Sequence, residues 1–255
     1  MRAMNIRVVT TQQGWSAAKL ALHKNIHFYG MEALGLGIFM ISACSFTVLL
    51  ESPVSPIHAA IPNGHTRLYL SGVLMGLTAL LIFYSPWTAP SGSHINPAVT
   101  LTFLRLGRIG PWDALFYVLF QTLGGLIAVW LMALALGPRL TKSPVSYAVT
   151  IPGKGGPWAA LLAELLIGFI MMTIVLQTGE SKQGSRYTRP IAACLVCANV
   201  IIAGPISGFG MNPARSLASA LPAGIFTGWW IYLFAPVLSM LTAAEFYKRL
   251  NRTKQ

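Results

Sequence analysis

Acidic residues are nearly missing from this chain. Glu32, Glu51, Asp113, Glu164, Glu180 and Glu245 are its only carboxylates in 255 residues, and charged side chains of both signs make up 9%. A soluble domain carries about 25% charge, so a water-facing globular surface cannot be assembled from this composition. Six acids and five scattered histidines also supply no nucleophile–base pair and no metal cluster. An enzyme is therefore not expected, nor a resident metal or cofactor. The same shortage argues against an ion channel or ion-coupled transporter, which needs acidic rings or a titratable pair in its pore. Cysteine is scarce as well: Cys44, Cys194 and Cys197 all fall inside apolar runs. That excludes a disulfide framework and leaves them as small residues packing between helices. No secretory leader is read at the start, where residues 1–29 are mixed polar and basic.

Apolar residues, by contrast, make up 55% of the chain, and the mean hydropathy is +0.62. Without water to satisfy the backbone, such a chain becomes a bundle of membrane-spanning helices. Six runs are long enough to span, near residues 30–50, 67–86, 112–136, 157–178, 189–206 and 224–246. The net charge of +12 does not point to nucleic acid, because the basic residues lie in short clusters between apolar runs and at the termini. With the N-terminus placed inside, 13 of the 18 Lys and Arg residues fall on the inner side. Only Arg67, Arg139, Lys142 and Lys154 fall outside, with Arg215 set apart, so both termini are expected to be cytoplasmic. The expected division is a cytoplasmic segment 1–29, a channel domain 30–247 and a tail 248–255. The stretch from Arg2 to Lys24 reads equally as an amphipathic segment on the inner leaflet or as a disordered one.

Asn-Pro-Ala occurs twice, as Asn96-Pro97-Ala98 and Asn212-Pro213-Ala214, each five residues after a Ser-Gly pair. A given tripeptide arises by chance roughly once in 8,000 positions. Two copies in matched surroundings mark an internal duplication, with halves of about 30–136 and 157–247. Glu32 and Glu164 open the first and fourth spans correspondingly. Three spans per half put the copies in opposite orientations, an inverted repeat with broken helices meeting near the bilayer midplane. The segments 96–105 and 212–221 are too short to cross and begin at the two motifs.

The motif has a physical meaning there. Asn is a favoured N-cap, Pro is tolerated at the first helical position and Ala is the best helix former. Each copy therefore starts a helix abruptly, with free N–H groups and the positive dipole end pointing to the membrane centre. Such an end is tolerable only where it lines a wet cavity. The Asn96 and Asn212 amides can donate to a passing oxygen. Backbone carbonyls come from Gly92, Ser93, His94 and Ile95 in one half, and from Gly208, Phe209, Gly210 and Met211 in the other. The glycines permit the unusual backbone. The positive centre suits a neutral, oxygen-bearing solute and opposes cations and protons.

Ser-Gly-x-His-x-Asn-Pro-Ala-Val-Thr and Ser-Gly-x-x-Met-Asn-Pro-Ala-Arg-Ser resemble the two signatures of the aquaporin and aquaglyceroporin (major intrinsic protein) family. The resemblance covers about 30–247 and includes Gln121 and both span-opening glutamates. It implies an all-α membrane protein with six transmembrane helices and two re-entrant half-helices, one pore per subunit, and a homotetramer in the plasma membrane. By the same resemblance Glu32 and Glu164 are buried acids that hold the pre-motif loops. His94 reads as a loop brace that could also line the inner pore mouth. His58 and His65, in the loop 51–66, are expected to be solvent-exposed.

Arg215 matches the family's filter arginine, an expensive residue at membrane depth and so a functional candidate. The remaining filter positions are Phe209, Val200 and either Met75 or Gly76. Phe209 and Val200 imply a bore wider and more apolar than a water-only filter. Ser216, Ala220 and Tyr232 look water-type, whereas Leu233 looks glycerol-type. The sequence thus points to passive flow of water, with glycerol or other small neutral solutes in the broader reading. A dedicated glycerol facilitator and a gated or structural protein of the same fold remain the alternatives.

Overall fold

A computed structural model describes residues 14–181 and 183–252. It is a bundle of helices: α1 (Trp15–Glu51), α2 (Pro56–Ala60), α3 (Gly64–Tyr84), α4 (Pro97–Arg105), α5 (Pro111–Leu136), α6 (Pro138–Thr141), α7 (Gly156–Glu180), α8 (Thr188–Ser207), α9 (Pro213–Ala223) and α10 (Trp229–Arg252). Six of these are long and apolar enough to cross a membrane. The half-helices α4 and α9, with 9 and 11 residues, reach about half the thickness of the hydrocarbon core. Outward-facing leucines such as Leu81, Leu134, Leu162 and Leu238 are exposed, which suits contact with lipid.

The first helix begins at Trp15, well before the expected start near 30. Hydropathy hides this extension because Lys19, His23, Lys24 and His27 are exposed on one face. Ala18, Ala21, Asn25, Tyr29 and Glu32 are buried on the other, at the three-to-four spacing of a helix. Asn25 Nδ2 and the Tyr29 hydroxyl both donate to Asp113 Oδ1 at the start of α5, the amide at 2.8 Å. At about 55 Å, α1 outruns the bilayer core. The part of the proposed N-terminal segment before residue 14, and the last residues of the tail, lie outside the described residues.

The packing follows the duplication. The most extensive pairings are α1 with α5, α7 with α10, and α3 with α8. The first two are equivalents in the two halves, and the third joins the halves across the pseudo-two-fold axis. Each half-helix also packs on the last span of the opposite half, α4 on α10 and α9 on α5. Close approach depends on specific glycines. A Cβ on Gly124 would sit 2.2 Å from the Ala33 carbonyl oxygen, and one on Gly168 would sit 2.2 Å from Ser239 Oγ. One set of buried residues (Met171, Met172, Val196, Val200, Met240) packs between α7, α8 and α10. Another (Leu36, Met40, Ile82, Val129, Ala218) packs between α1, α3, α5 and α9.

Cys44 is buried and Cys197 half-buried, but Cys194 is exposed. The latter is on the outward face of α8, not between helices as its apolar context suggested. His65 is exposed as expected. His58 is half-buried, with Nδ1 2.8 Å from the Leu50 carbonyl oxygen, because the short α2 folds back over the end of α1.

Candidate functional site

Both half-helices start as the motif dictates. Asn96 and Asn212 are N-caps in extended conformation, followed by Pro at the first helical position. Asn96 Oδ1 accepts from Ala98 N at 2.9 Å and Asn212 Oδ1 from Arg215 N at 3.2 Å. With the oxygens so engaged, the amide nitrogens face the opposite half. Asn96 Nδ2 donates to the Met211 carbonyl at 2.8 Å, and Asn212 Nδ2 donates to the Ile95 carbonyl at 2.7 Å. The two motifs are therefore cross-braced. One amide hydrogen of each asparagine goes to the brace, which leaves the second for a guest. This changes the expectation in which both amides and all the loop carbonyls served a solute.

The loops before the motifs are held by the two buried glutamates. Glu32 accepts from Ser91 Oγ at 2.6 Å, His94 N at 2.9 Å, Ile95 N at 2.6 Å and Gln121 Nε2 at 2.8 Å. Glu164 accepts from Ser207 Oγ at 2.7 Å, Gly210 N at 2.8 Å and Met211 N at 2.6 Å. Each loop is tied once more by a tyrosine: Tyr117 donates to the Ser91 carbonyl at 2.9 Å and Tyr232 to the Ser207 carbonyl at 2.7 Å.

This support is needed because the loops leave ordinary backbone space. Gly92 and Gly208 have φ of +91° and +75°, but Ser93, Ile95, Phe209 and Met211 also have positive φ, between +42° and +53°. Glycine was expected to carry the unusual geometry. In fact side-chain-bearing residues share it, at a cost of order 1 kcal/mol or more each, offset by the charge-assisted bonds to the glutamates.

A cavity of about 130 Å³ runs along the two loops, enough for several waters. Gly92 to Asn96 line it from one half, and Phe209 to Asn212 with Arg215 from the other. Phe39, Phe83, Phe103, Met172 and Val196 form part of its apolar wall. Pro97, Ala98, Pro213 and Ala214 are buried behind the caps as the first residues of the half-helices. Arg215 donates from a guanidinium nitrogen to Thr150 Oγ1 and makes no ion pair among the described residues. Phe209 faces the cavity and also packs on the core beside it. His94 lines the cavity too, stacked on Phe103 with ring centroids 4.7 Å apart and with Nδ1 3.2 Å from Thr100 Oγ1.

The other candidates lie apart from this cavity. Gly208 caps α8 in the left-handed region, and a Cβ there would meet the Ile151 carbonyl at 2.8 Å. Met75 and Val200 are buried in one apolar set with Met211. Gly76 belongs to the α3–α8 contact, since a Cβ there would lie 2.8 Å from Cys197 Cβ and 3.1 Å from the Ala193 carbonyl. Of the type markers, Ser216, Ala220 and Tyr232 are buried, and Tyr232 acts as a loop tie. Sequence reasoning missed Ser91, Ser207, Tyr117, Thr100 and Thr150. A signal existed for three of them: the serines of the Ser-Gly pairs recur at the motif offset of 116 residues, and Tyr117 matches Tyr232 at 115.

Residues 22–247 match the family model for the major intrinsic protein. The chain is 33% identical over 227 residues to aquaporin NIP1-1 of Zea mays, an alignment that covers 88% of this chain and 74% of the relative. It is 34% identical over 183 residues to the putative aquaporin NIP4-1 of Arabidopsis thaliana, covering 71% and 62%. A probable aquaporin NIP-type of Nicotiana alata is 33% identical over 183 residues, covering 71% and 65%; the matched part thus spans somewhat under two thirds of the length of these last two relatives. In fold it resembles the aquaglyceroporin of Plasmodium falciparum, with a TM-score of 0.71 at 19% identity over 88% of this chain and 96% of that one. Duplicated motifs, cross-braced half-helices and the match across both halves lead to one conclusion: the chain belongs to the major intrinsic protein family, whose members are membrane channels and not enzymes.

Proposed function

We propose that this chain forms a passive pore for water and small neutral solutes such as glycerol, and that it turns back protons and cations. The observation that carries the reading is the cross-brace. It fixes two helix N-termini face to face on a cavity and leaves one amide hydrogen from each asparagine free for a solute oxygen. A water chain passing this point is oriented by donors on both sides, and the positive helix ends oppose a cation.

Arg215, held by Thr150, is the filter residue in this proposal, with Phe209 on the same cavity wall and Val200 and Met75 in the apolar packing behind it. Gly76 is set aside because it is committed to helix contact. A filter of Phe209 and one Arg, backed by apolar packing, has an apolar wall and a single donor side, which suits a polyol with a hydrocarbon edge as well as water. The chain is placed in the plasma membrane with both termini cytoplasmic and the segments 1–29 and 248–255 flanking a channel domain 30–247. Four copies assemble, each with its own pore. Stopped-flow light scattering on proteoliposomes tests this for water and glycerol, in wild type and Phe209→Ala. Fast flux of both is expected, with the glycerol share rising in the variant. Rates equal to empty vesicles would overturn the reading.

A further inference from the structure

The cavity holds a second arginine. Arg189 lines it at the end remote from α9, on the first turn of α8. Its position has no explanation in the helix itself. A cation at a helix N-terminus opposes the dipole, and an acidic residue is favoured there. No carboxylate forms an ion pair with it among the described residues. Its guanidinium instead lies 5.2 Å from the ring centroid of Tyr84, at the end of α3. The neighbouring Thr188 also lines the cavity, is buried, and its hydroxyl has no partner.

We propose that Arg189 forms a second charge filter at the mouth opposite Arg215, repelling cations before they reach the asparagine pair. The proposal rests on the channel reading above. Arg189 lines the cavity from the first turn of α8 and Arg215 from the first turn of α9, with Asn96 and Asn212 also on its wall. In this proposal the two arginines act as barriers in series along one path, with the half-helix ends between them. Tyr84 holds the guanidinium without neutralising it, so its positive field stays available to the mouth.

The test reads that field directly. In a background with Cys44, Cys194 and Cys197 replaced by serine, Ala192→Cys introduces a thiol on the cavity wall one turn along α8 from Arg189. The full chain in lipid nanodiscs is treated with cationic and anionic methanethiosulfonates of similar size, and modification is followed by mass spectrometry. With Arg189 present, the anionic reagent should react about tenfold faster than the cationic one, the scale expected for one unit charge nearby in a wet site. Arg189→Gln should bring the ratio close to one. Thr188→Cys provides a second position should the first fail to fold. Equal rates with Arg189 present, a preference that survives Arg189→Gln, or thiols inert at both positions would each overturn the proposal. Absent water flux would sink the channel reading without altering the reagent ratio.

Discussion

Replacing Glu164 by alanine is the sharpest test of what holds the second loop. The carboxylate takes three donors: Ser207 Oγ and Gly210 N on Oε1, and Met211 N on Oε2. Removing it leaves these buried groups without partners, at about 1–3 kcal/mol each. A loss of at least about 3 kcal/mol is therefore expected, which corresponds to a fall in melting midpoint of about 6–12 °C. Glu164→Gln should lose about a third as much. Its amide oxygen can replace Oε1, while its NH₂ group then faces the Met211 N–H, donor against donor. Function should fall with stability, because the Met211 carbonyl positions the Asn96 amide. The assay is thermal unfolding in detergent followed by tryptophan fluorescence, paired with water flux in proteoliposomes. Alanine and wild-type proteins that melt within 2 °C of each other and conduct equally would refute the argument, since the loop would then be held by something else.

Three further outcomes follow from the contacts. Thr150→Val removes the acceptor for the Arg215 guanidinium and should cost about 2 kcal/mol; it should also shift the glycerol-to-water flux ratio, whereas Thr150→Ser should not. Gly124→Ala places a Cβ 2.2 Å from the Ala33 carbonyl, while Gly37→Ala meets the Gly124 carbonyl at an ordinary 3.5 Å. The yield of folded protein should collapse for the first and hold for the second. Glu245→Gln breaks an ion pair with Arg105 in which both side chains are about half exposed; it should change the unfolding free energy by under about 1 kcal/mol. Arg67→Ala should cost more, because Arg67 makes two bonds to Glu51 and two to the Ile61 and Pro62 carbonyls.

The half-helices were legible because their start signal is local. Asn, Pro and Ala act on the residues next to them, so a tripeptide suffices to place the end of α4 and of α9. The first fifteen residues of α1 were not legible from hydropathy. Their burial depends on Asp113, 88 residues beyond Asn25, and no window along the chain contains both. The role of the asparagine amides was half legible. Their direction toward the centre follows from capping, but their partners are carbonyls in the other half, at separations of 115 and 117 residues. The choice between Met75 and Gly76 could not be made by counting along the chain. Packing puts Gly76 against α8 and Met75 in the apolar interior, and neither lines the cavity.

The duplication separates what the scaffold requires from what selectivity requires. Glu32 and Glu164, Ser91 and Ser207, and Tyr117 and Tyr232 do the same work in both halves. Where the halves part, the bore changes: His94 faces Gly210, Ser93 faces Phe209 and Val99 faces Arg215 in the alignment of the two motifs. Gly210 is not free to follow His94, because a Cβ there would sit 2.4 Å from Tyr232 Cδ1. Tyr117 instead leaves room for the imidazole, with ring centroids 5.3 Å apart. The brace and the helix ends thus set a potential that is symmetric about the centre, and Arg215 adds a charge that the duplication does not repeat, since Val99 stands at its equivalent position. A neutral solute crossing such a path meets the same highest barrier from either side. Asymmetric bonding sites therefore alter how fast it passes and where it pauses, but under equal and opposite gradients at low concentration the flux must be equal in both directions.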